Sequence, residues 1–168
     1  MISSGNWNGI HYITKDVGYA VGASNEIAKS IDGGTTWSAV TGPSAQAGVA
    51  ANCVFTLDKN RAWIGYADGD LYYTLDGGTT WTARSFTGSG VGQVRAITFR
   101  NDMEGYMATN NASPVGTLHR TRDGGYTWET VTTVTNSGLN DVYACDQWKL
   151  YLAGEANAST GFIAKATS

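Results

Sequence analysis

Proline, cysteine, histidine and charge are all scarce in this chain. Its 168 residues hold two prolines, two cysteines and two histidines, and only 15% are charged. Two histidines far apart, His11 and His119, offer no zinc-ligand spacing, so no metal and no other cofactor is expected. A net charge of −3, with neither a basic stripe nor an acidic tail, argues against nucleic acid as a partner. No apolar run approaches the roughly 20 residues that span a bilayer, so membrane insertion is not expected. The start, Met1-Ile2-Ser3-Ser4-Gly5-Asn6-Trp7, has no basic stretch followed by an apolar one. No signal peptide is expected, and synthesis in a cytoplasm is, with packaging into a virus particle as one route out. A mature fragment of a longer secreted precursor would read the same way. Helical stripes are missing too.

Glycine is abundant, at 22, and Trp and Tyr dominate the aromatics, at 6 and 9. That balance fits many short strands joined by turns. One eight-residue phrase occurs three times: Ser30-Ile31-Asp32-Gly33-Gly34-Thr35-Thr36-Trp37, Thr74-Leu75-Asp76-Gly77-Gly78-Thr79-Thr80-Trp81 and Thr121-Arg122-Asp123-Gly124-Gly125-Tyr126-Thr127-Trp128. Asp32 and Asp76 lie 44 residues apart, and Asp76 and Asp123 lie 47 apart. A fixed period of this size marks an array of similar supersecondary units.

Each phrase has the makings of a turn between two strands. The Asp carboxylate can accept hydrogen bonds from downstream backbone N–H groups. The Gly-Gly pair supplies positive φ, and Thr-Thr-Trp restarts a strand with a large ring to bury. Three equivalent copies suggest scaffold, so Asp32, Gly34, Trp37, Asp76, Gly78, Trp81, Asp123, Gly125 and Trp128 are expected to be structural.

The period extends beyond the phrase. Ile10, Cys53, Ile97 and Val142 open four similar apolar segments, spaced 43, 44 and 45 residues apart. Each copy reads as four strands; in the second copy they are expected near 52–57, 61–66, 70–75 and 79–85. Leu71, Tyr73 and Leu75 alternate with Tyr72 and Thr74, as strand residues do. Repeats are expected at about 8–45, 51–88, 94–134 and 140–168, within one domain of 1–168. Ser168 stands where a fourth Asp would fall, so the fourth repeat lacks its outermost strand.

The phrase matches Ser/Thr-x-Asp-x-Gly-x-Thr-Trp at every specified position. It resembles the Asp-box, or BNR, repeat of sialidases, sortilin-type receptors, xyloglucan-cleaving glycosidases and photosystem II assembly-factor-like propellers. Gly18-Tyr19-Ala20-Val21-Gly22 is also similar to the Gly-Trp-Ala-Val-Gly stretch of the assembly-factor-like propellers. The resemblance implies an all-β fold, a β-propeller of four Asp-box repeats with four-stranded antiparallel blades, the phrase lying between the two outer strands. Three arrangements follow: a ring closed by residues 1–7 patching the last blade, several chains combining into a larger ring, or a piece of a longer propeller.

Catalytic chemistry finds little support. Phe99-Arg100-Asn101-Asp102 resembles the sialidase arginine motif but lacks its following apolar residue and proline. The arginines do not recur at the inner end of successive blades, and Arg120 and Arg122 read as solvated charge on an outer strand. Glycosidase carboxylates sit about 5–10 Å apart across one sugar; Asp68 and Asp70 read better as a β-turn. His11 and His119 read as packing or surface residues. Cys53, at the repeat position of Ile10, reads as a small buried hydrophobe, and a disulfide with Cys145, two blades away, is not expected. No catalytic residue is assigned.

The loops between second and third strands differ most. Asn25, Asp68, Asn111 and Asn157 stand in them and form a candidate ligand rim, since such loops crowd one mouth of a propeller. Expected is a non-enzymatic binding or assembly module, with a phage or virus-particle surface component as one reading. A bacterial assembly-factor-like protein-binding propeller is the second; a glycan-binding module or sialidase-like fragment is the third. The partner would be a protein or a glycan, or another chain docking on the incomplete fourth blade.

Overall fold

Short β-branched and aromatic runs, each cut off by Gly, Asn or Asp, fold as meandering antiparallel strands throughout. The computed structural model describes residues 5–86, 92–111, 115–134, 137–146, 149–156 and 161–166. Blade one holds β1 (Trp7–Tyr12), β2 (Gly18–Gly22), β3 (Ile27–Ser30) and β4 (Ser38–Val40). Blade two holds β5 (Ala51–Thr56), β6 (Ala62–Tyr66), β7 (Leu71–Thr74) and β8 (Thr82–Arg84). Blade three holds β9 (Gln93–Phe99), β10 (Gly105–Asn110), β11 (Gly116–Thr121) and β12 (Glu129–Val134). Blade four holds β13 (Ser137–Asp146), β14 (Lys149–Ala156) and β15 (Gly161–Ala166). In every blade the sheet order follows the chain order, and the described fourth sheet has three strands with β15 at its edge. The fold is an all-β propeller array.

Two compact units divide the chain, residues 1–83 and 84–168. Each is two blades packed face to face. In the first, Tyr19, Val21 and Ile27 of blade one meet Ala51, Val54, Ile64, Tyr66 and Tyr72 of blade two. In the second, Ala96, Tyr106, Ala108 and Leu118 of blade three meet Leu139, Val142, Leu150 and Leu152 of blade four. The second strand of blades one and two is buried along its whole length, in keeping with its unbroken small and apolar sequence.

The register corrects one alignment. Ile10 pairs with Ala20, and the residues in the same place are Val54 opposite Ile64, Ile97 opposite Met107 and Val142 opposite Leu152. Val54, not Cys53, is therefore the counterpart of Ile10. Cys53 pairs with Gly65 and is only half-buried. A one-residue slip exchanges the two faces of a strand, and the run Cys53-Val54-Phe55 has no polar residue to mark its phase.

The first described residues belong to blade one. The Asn6 carbonyl accepts from the N–H of Ala23, and Trp7 opens β1 opposite Gly22. Residues 5–7 thus extend blade one; residues 1–4, which the expected patch of the last blade includes, lie outside the described residues.

Candidate binding rim

Each phrase builds the same turn. In blade two the Thr74 hydroxyl donates to Asp76 Oδ1 at 2.8 Å and accepts from the N–H of Gly78 at 2.9 Å. Asp76 accepts from the Thr80 N–H at 2.9 Å and from the Thr80 hydroxyl at 2.6 Å. Ser30 and Asp32 repeat these bonds in blade one, and Thr121 and Asp123 in blade three. Gly77 and Gly78 stand at φ 74° and 93°, where a Cβ would be strained. Gly33, Gly77 and Gly124 also donate to the turn between first and second strands, through the carbonyls of Asp16, Asn60 and Met103. These two turns share one rim of each blade, leaving the opposite rim to the loops after the second strand.

On that opposite rim of the first unit, Ser24 and Asn25 adopt φ 55° and 64°, a left-handed pair that Asn tolerates. Asn25 Nδ2 donates to the Pro43 carbonyl at 2.9 Å, and its Oδ1 accepts from the Tyr66 hydroxyl at 2.6 Å. Burial, with Tyr72 and Asp68 nearby, raises the Tyr66 phenol well above its ordinary value, so it stays a donor. The Asp68 turn hangs from the same tyrosine. Gly69 N–H donates to the Tyr66 carbonyl, Tyr66 N–H to the Asp70 carbonyl, and Asp70 N–H to Asp68 Oδ1. Gln46, fully buried, donates from Nε2 to Asp70 Oδ2 at 2.6 Å, while its Oε1 meets no hydrogen-bond donor among the described residues. Burial and then the Asp68 charge hold the Asp70 carboxyl above the usual range. Asn25 and Asp68 are thus brought onto one polar network through Tyr66.

In the second unit, Asn111 closes its loop by accepting the Val115 N–H on Oδ1 and donating its own N–H to the Val115 carbonyl. Asn110 donates to Asn140 Oδ1 at 3.3 Å and accepts from the Leu139 N–H. Asn157 lies outside the described residues.

One recurring feature escaped the sequence reading. Every first strand bulges at one residue on this rim: Asn8, Asn52, Arg95 and Asn140. The spacing is 44, 43 and 45 residues, the period of the array. A bulge re-aims its side chain, and such devices gather near functional sites. Asn8 donates to the Ala51 carbonyl at 3.0 Å; Arg95 donates from Nη1 to Gln93, and its buried Nε has no acceptor among the described residues. The available signal was a polar residue recurring, in period, inside an otherwise apolar strand.

The remaining titratable candidates are tied elsewhere. Arg100 pairs with Glu104 at 3.3 Å and lies over the Tyr106 ring. Arg120, expected as solvated charge, is largely covered and pairs with Glu129; Arg122, which also pairs with Glu129, is exposed. His119 is fully buried against the Thr109 hydroxyl, and burial drops its imidazole to about 4. His11 accepts the Thr56 N–H on Nδ1, and burial lowers it too. Among the described residues no three His, Cys, Asp or Glu side chains gather as a metal site would need.

A family model described as photosynthesis system II assembly factor YCF48 matches residues 3–146. The chain belongs to the YCF48 family. No curated protein matches it. Among solved structures, YCF48 bound to D1 peptide superposes with a TM-score of 0.70 at 18% identity, covering 93% of this chain and 53% of that one. YCF48 from Cyanidioschyzon merolae gives 0.71 at 16% identity, with 100% and 58% covered. The GH74 enzyme of Niastella koreensis gives 0.71 at 16% identity, with 97% and 29% covered. The chain thus spans a little over half the length of the YCF48 chains it matches. At these identities the likeness is one of fold, and the YCF48-type propeller is that fold.

Proposed function

We propose that this chain is a non-enzymatic, protein-binding propeller segment whose loop rim takes an extended segment of a partner protein. The match to an assembly-factor family over residues 3–146 supports this reading most. A structural neighbour solved with a D1 peptide bound adds to it, though that peptide belongs to that protein. The chemistry of the first unit's rim suits the task. Asn25, Asp68 and Asp70 offer amide and carboxylate groups, and the exposed bulge residue Asn8 adds another amide, which can meet the N–H and C=O groups of an extended chain. The structural role given to the three Asp turns and the ligand role given to the rim are parts of this proposal. A place on a virus particle and a glycan-binding role rest on composition and loop chemistry alone, without a counterpart among the relatives named above. GH74 neighbours keep a hydrolase in view, so the test includes one.

The chain should be titrated against fluorescein-labelled extended peptides, a D1 peptide among them, by fluorescence anisotropy. In parallel it should be tried on a glycan array and on xyloglucan. Saturable peptide binding that Asp68→Asn or Asn8→Ala weakens several-fold is expected. Glycan capture or xyloglucan cleavage, with every peptide unbound, would overturn the proposal.

A further inference from the structure

Charge is divided unevenly between the two rims of the first unit. Its Lys and Arg side chains are Lys15, Lys29, Lys59 and Arg61, and all stand at or next to the rim of the Asp turns. Lys15 and Lys59 lie in the turns between first and second strands, beside the carbonyls of Asp16 and Asn60 that accept from Gly33 and Gly77. Arg61 is held there by Asp58, and Lys29 donates from Nζ to the carbonyls of Lys59 and Gly77, each at 3.1 Å. The loop rim carries Glu26, Asp68 and Asp70, and no Lys or Arg of the unit stands in its loops. The five residues of β6 that separate the rims span about 17 Å. That is roughly twice the screening length of about 8 Å in physiological salt, so the far cations leave these acids uncompensated.

The hydrogen bonds of these acids select one kind of cation. Asp68 Oδ1 accepts from the Asp70 N–H at 3.1 Å, and Asp70 Oδ2 accepts from Gln46 Nε2 at 2.6 Å. Both aspartates are exposed, and each keeps one oxygen, Asp68 Oδ2 and Asp70 Oδ1, without a donor among the described residues. Gln46 adds a third acceptor. Its side chain is 2% exposed, and its Oε1, on the same carbon as the Nε2 that holds Asp70, meets no donor among the described residues. A buried acceptor left unmet is costly, and one next to an open pair of carboxylates points to a donor that arrives from outside. Burial and the Asp68 charge already hold the Asp70 carboxyl high, a tension that an incoming cation relieves. An ammonium places three separate donors on a compact charge, which suits single oxygens. A guanidinium prefers both oxygens of one carboxylate, and neither aspartate has both to give.

We propose that the loop rim of the first unit binds a primary ammonium, the side chain of a lysine in the partner's extended segment, seated between Asp68 and Asp70. This ammonium site lies within the rim proposed above to take a peptide and rests on that reading; it adds which residue the rim selects. Glu26, in the loop beside Asn25, contributes negative charge that draws the cation in.

The test uses Ser/Thr-rich peptides labelled with fluorescein at the N-terminus and alike except at one central position, which is lysine, acetyl-lysine, arginine or glutamate. In anisotropy titrations of the whole chain the lysine peptide should bind several-fold more tightly than the acetyl-lysine and arginine peptides, with glutamate weakest. Asp70→Asn keeps an oxygen for Gln46 Nε2 and removes the charge, so it should erase most of the preference for lysine. Asp16→Asn, which removes a charge at the opposite rim, should leave that preference intact. The readout is a ratio between peptides on one variant, so a general loss of folded protein does not imitate the effect. Peptides that bind alike whatever their central residue overturn the ammonium site and leave the rim as a peptide site; peptides that do not bind at all overturn both. A preference that Asp16→Asn lowers as much as Asp70→Asn does also overturns it, since net charge rather than this pair would then attract the cation.

Discussion

Asp76 is exposed, yet its two carboxylate oxygens are engaged by the Thr80 hydroxyl, the Thr80 N–H and the Thr74 hydroxyl. Those bonds, the Thr80 hydroxyl first, hold its carboxyl at about 2, below its ordinary 3.8. Asp32 is lowered by the same set of donors in blade one. A carboxyl whose folded value is depressed stabilises the fold fully above its unfolded value and loses that contribution as pH falls towards the folded one. Thermal stability should therefore decline between about pH 4 and pH 2 as these turns protonate. Asp76→Asn should lower the melting temperature near neutrality and flatten that acid slope. Melts followed by circular dichroism at stepped pH check it; parallel slopes for the variant and the wild type would count against the turn as a source of acid sensitivity.

At the scale of the element, Trp128 shows how a turn and a core are joined. Its ring is buried edge-on to Phe99 at 5.9 Å, while Nε1 donates to the Gly125 carbonyl at 3.2 Å. Trp128→Ala should cost about 3–5 kcal/mol in urea unfolding, as for other large buried rings. A loss under about 1 kcal/mol would place the ring outside the core. The strands of blade two were legible from alternation, and the observed 51–56, 62–66, 71–74 and 82–84 fall within three residues of the expected bounds. Their phase was less so. Cys53, Val54 and Phe55 are all apolar enough for either face, and only pairing with Gly65, Ile64 and Trp63 settles which face each takes. The bulges were hidden for a related reason. A single inserted residue such as Asn52 leaves composition and spacing almost unchanged while it redirects one side chain.

For the molecule as a whole, the period disclosed four repeats, because three Asp turns built from contiguous residues and four spaced apolar segments share it. The rim network of Asn25, Tyr66, Gln46 and Asp70 was only half legible. Loop length pointed to Asn25 and Asp68, but Gln46 comes from the connection between blades, and only the fold brings it to Asp70. The hydrogen bonds from Gly33, Gly77 and Gly124 to the neighbouring hairpin have a further consequence. They knot the first three blades at the end away from their variable loops, so insertions at the far end add length without loosening the knot. Such a body can be given new specificities on one side by altering its loops, while the other side keeps its form.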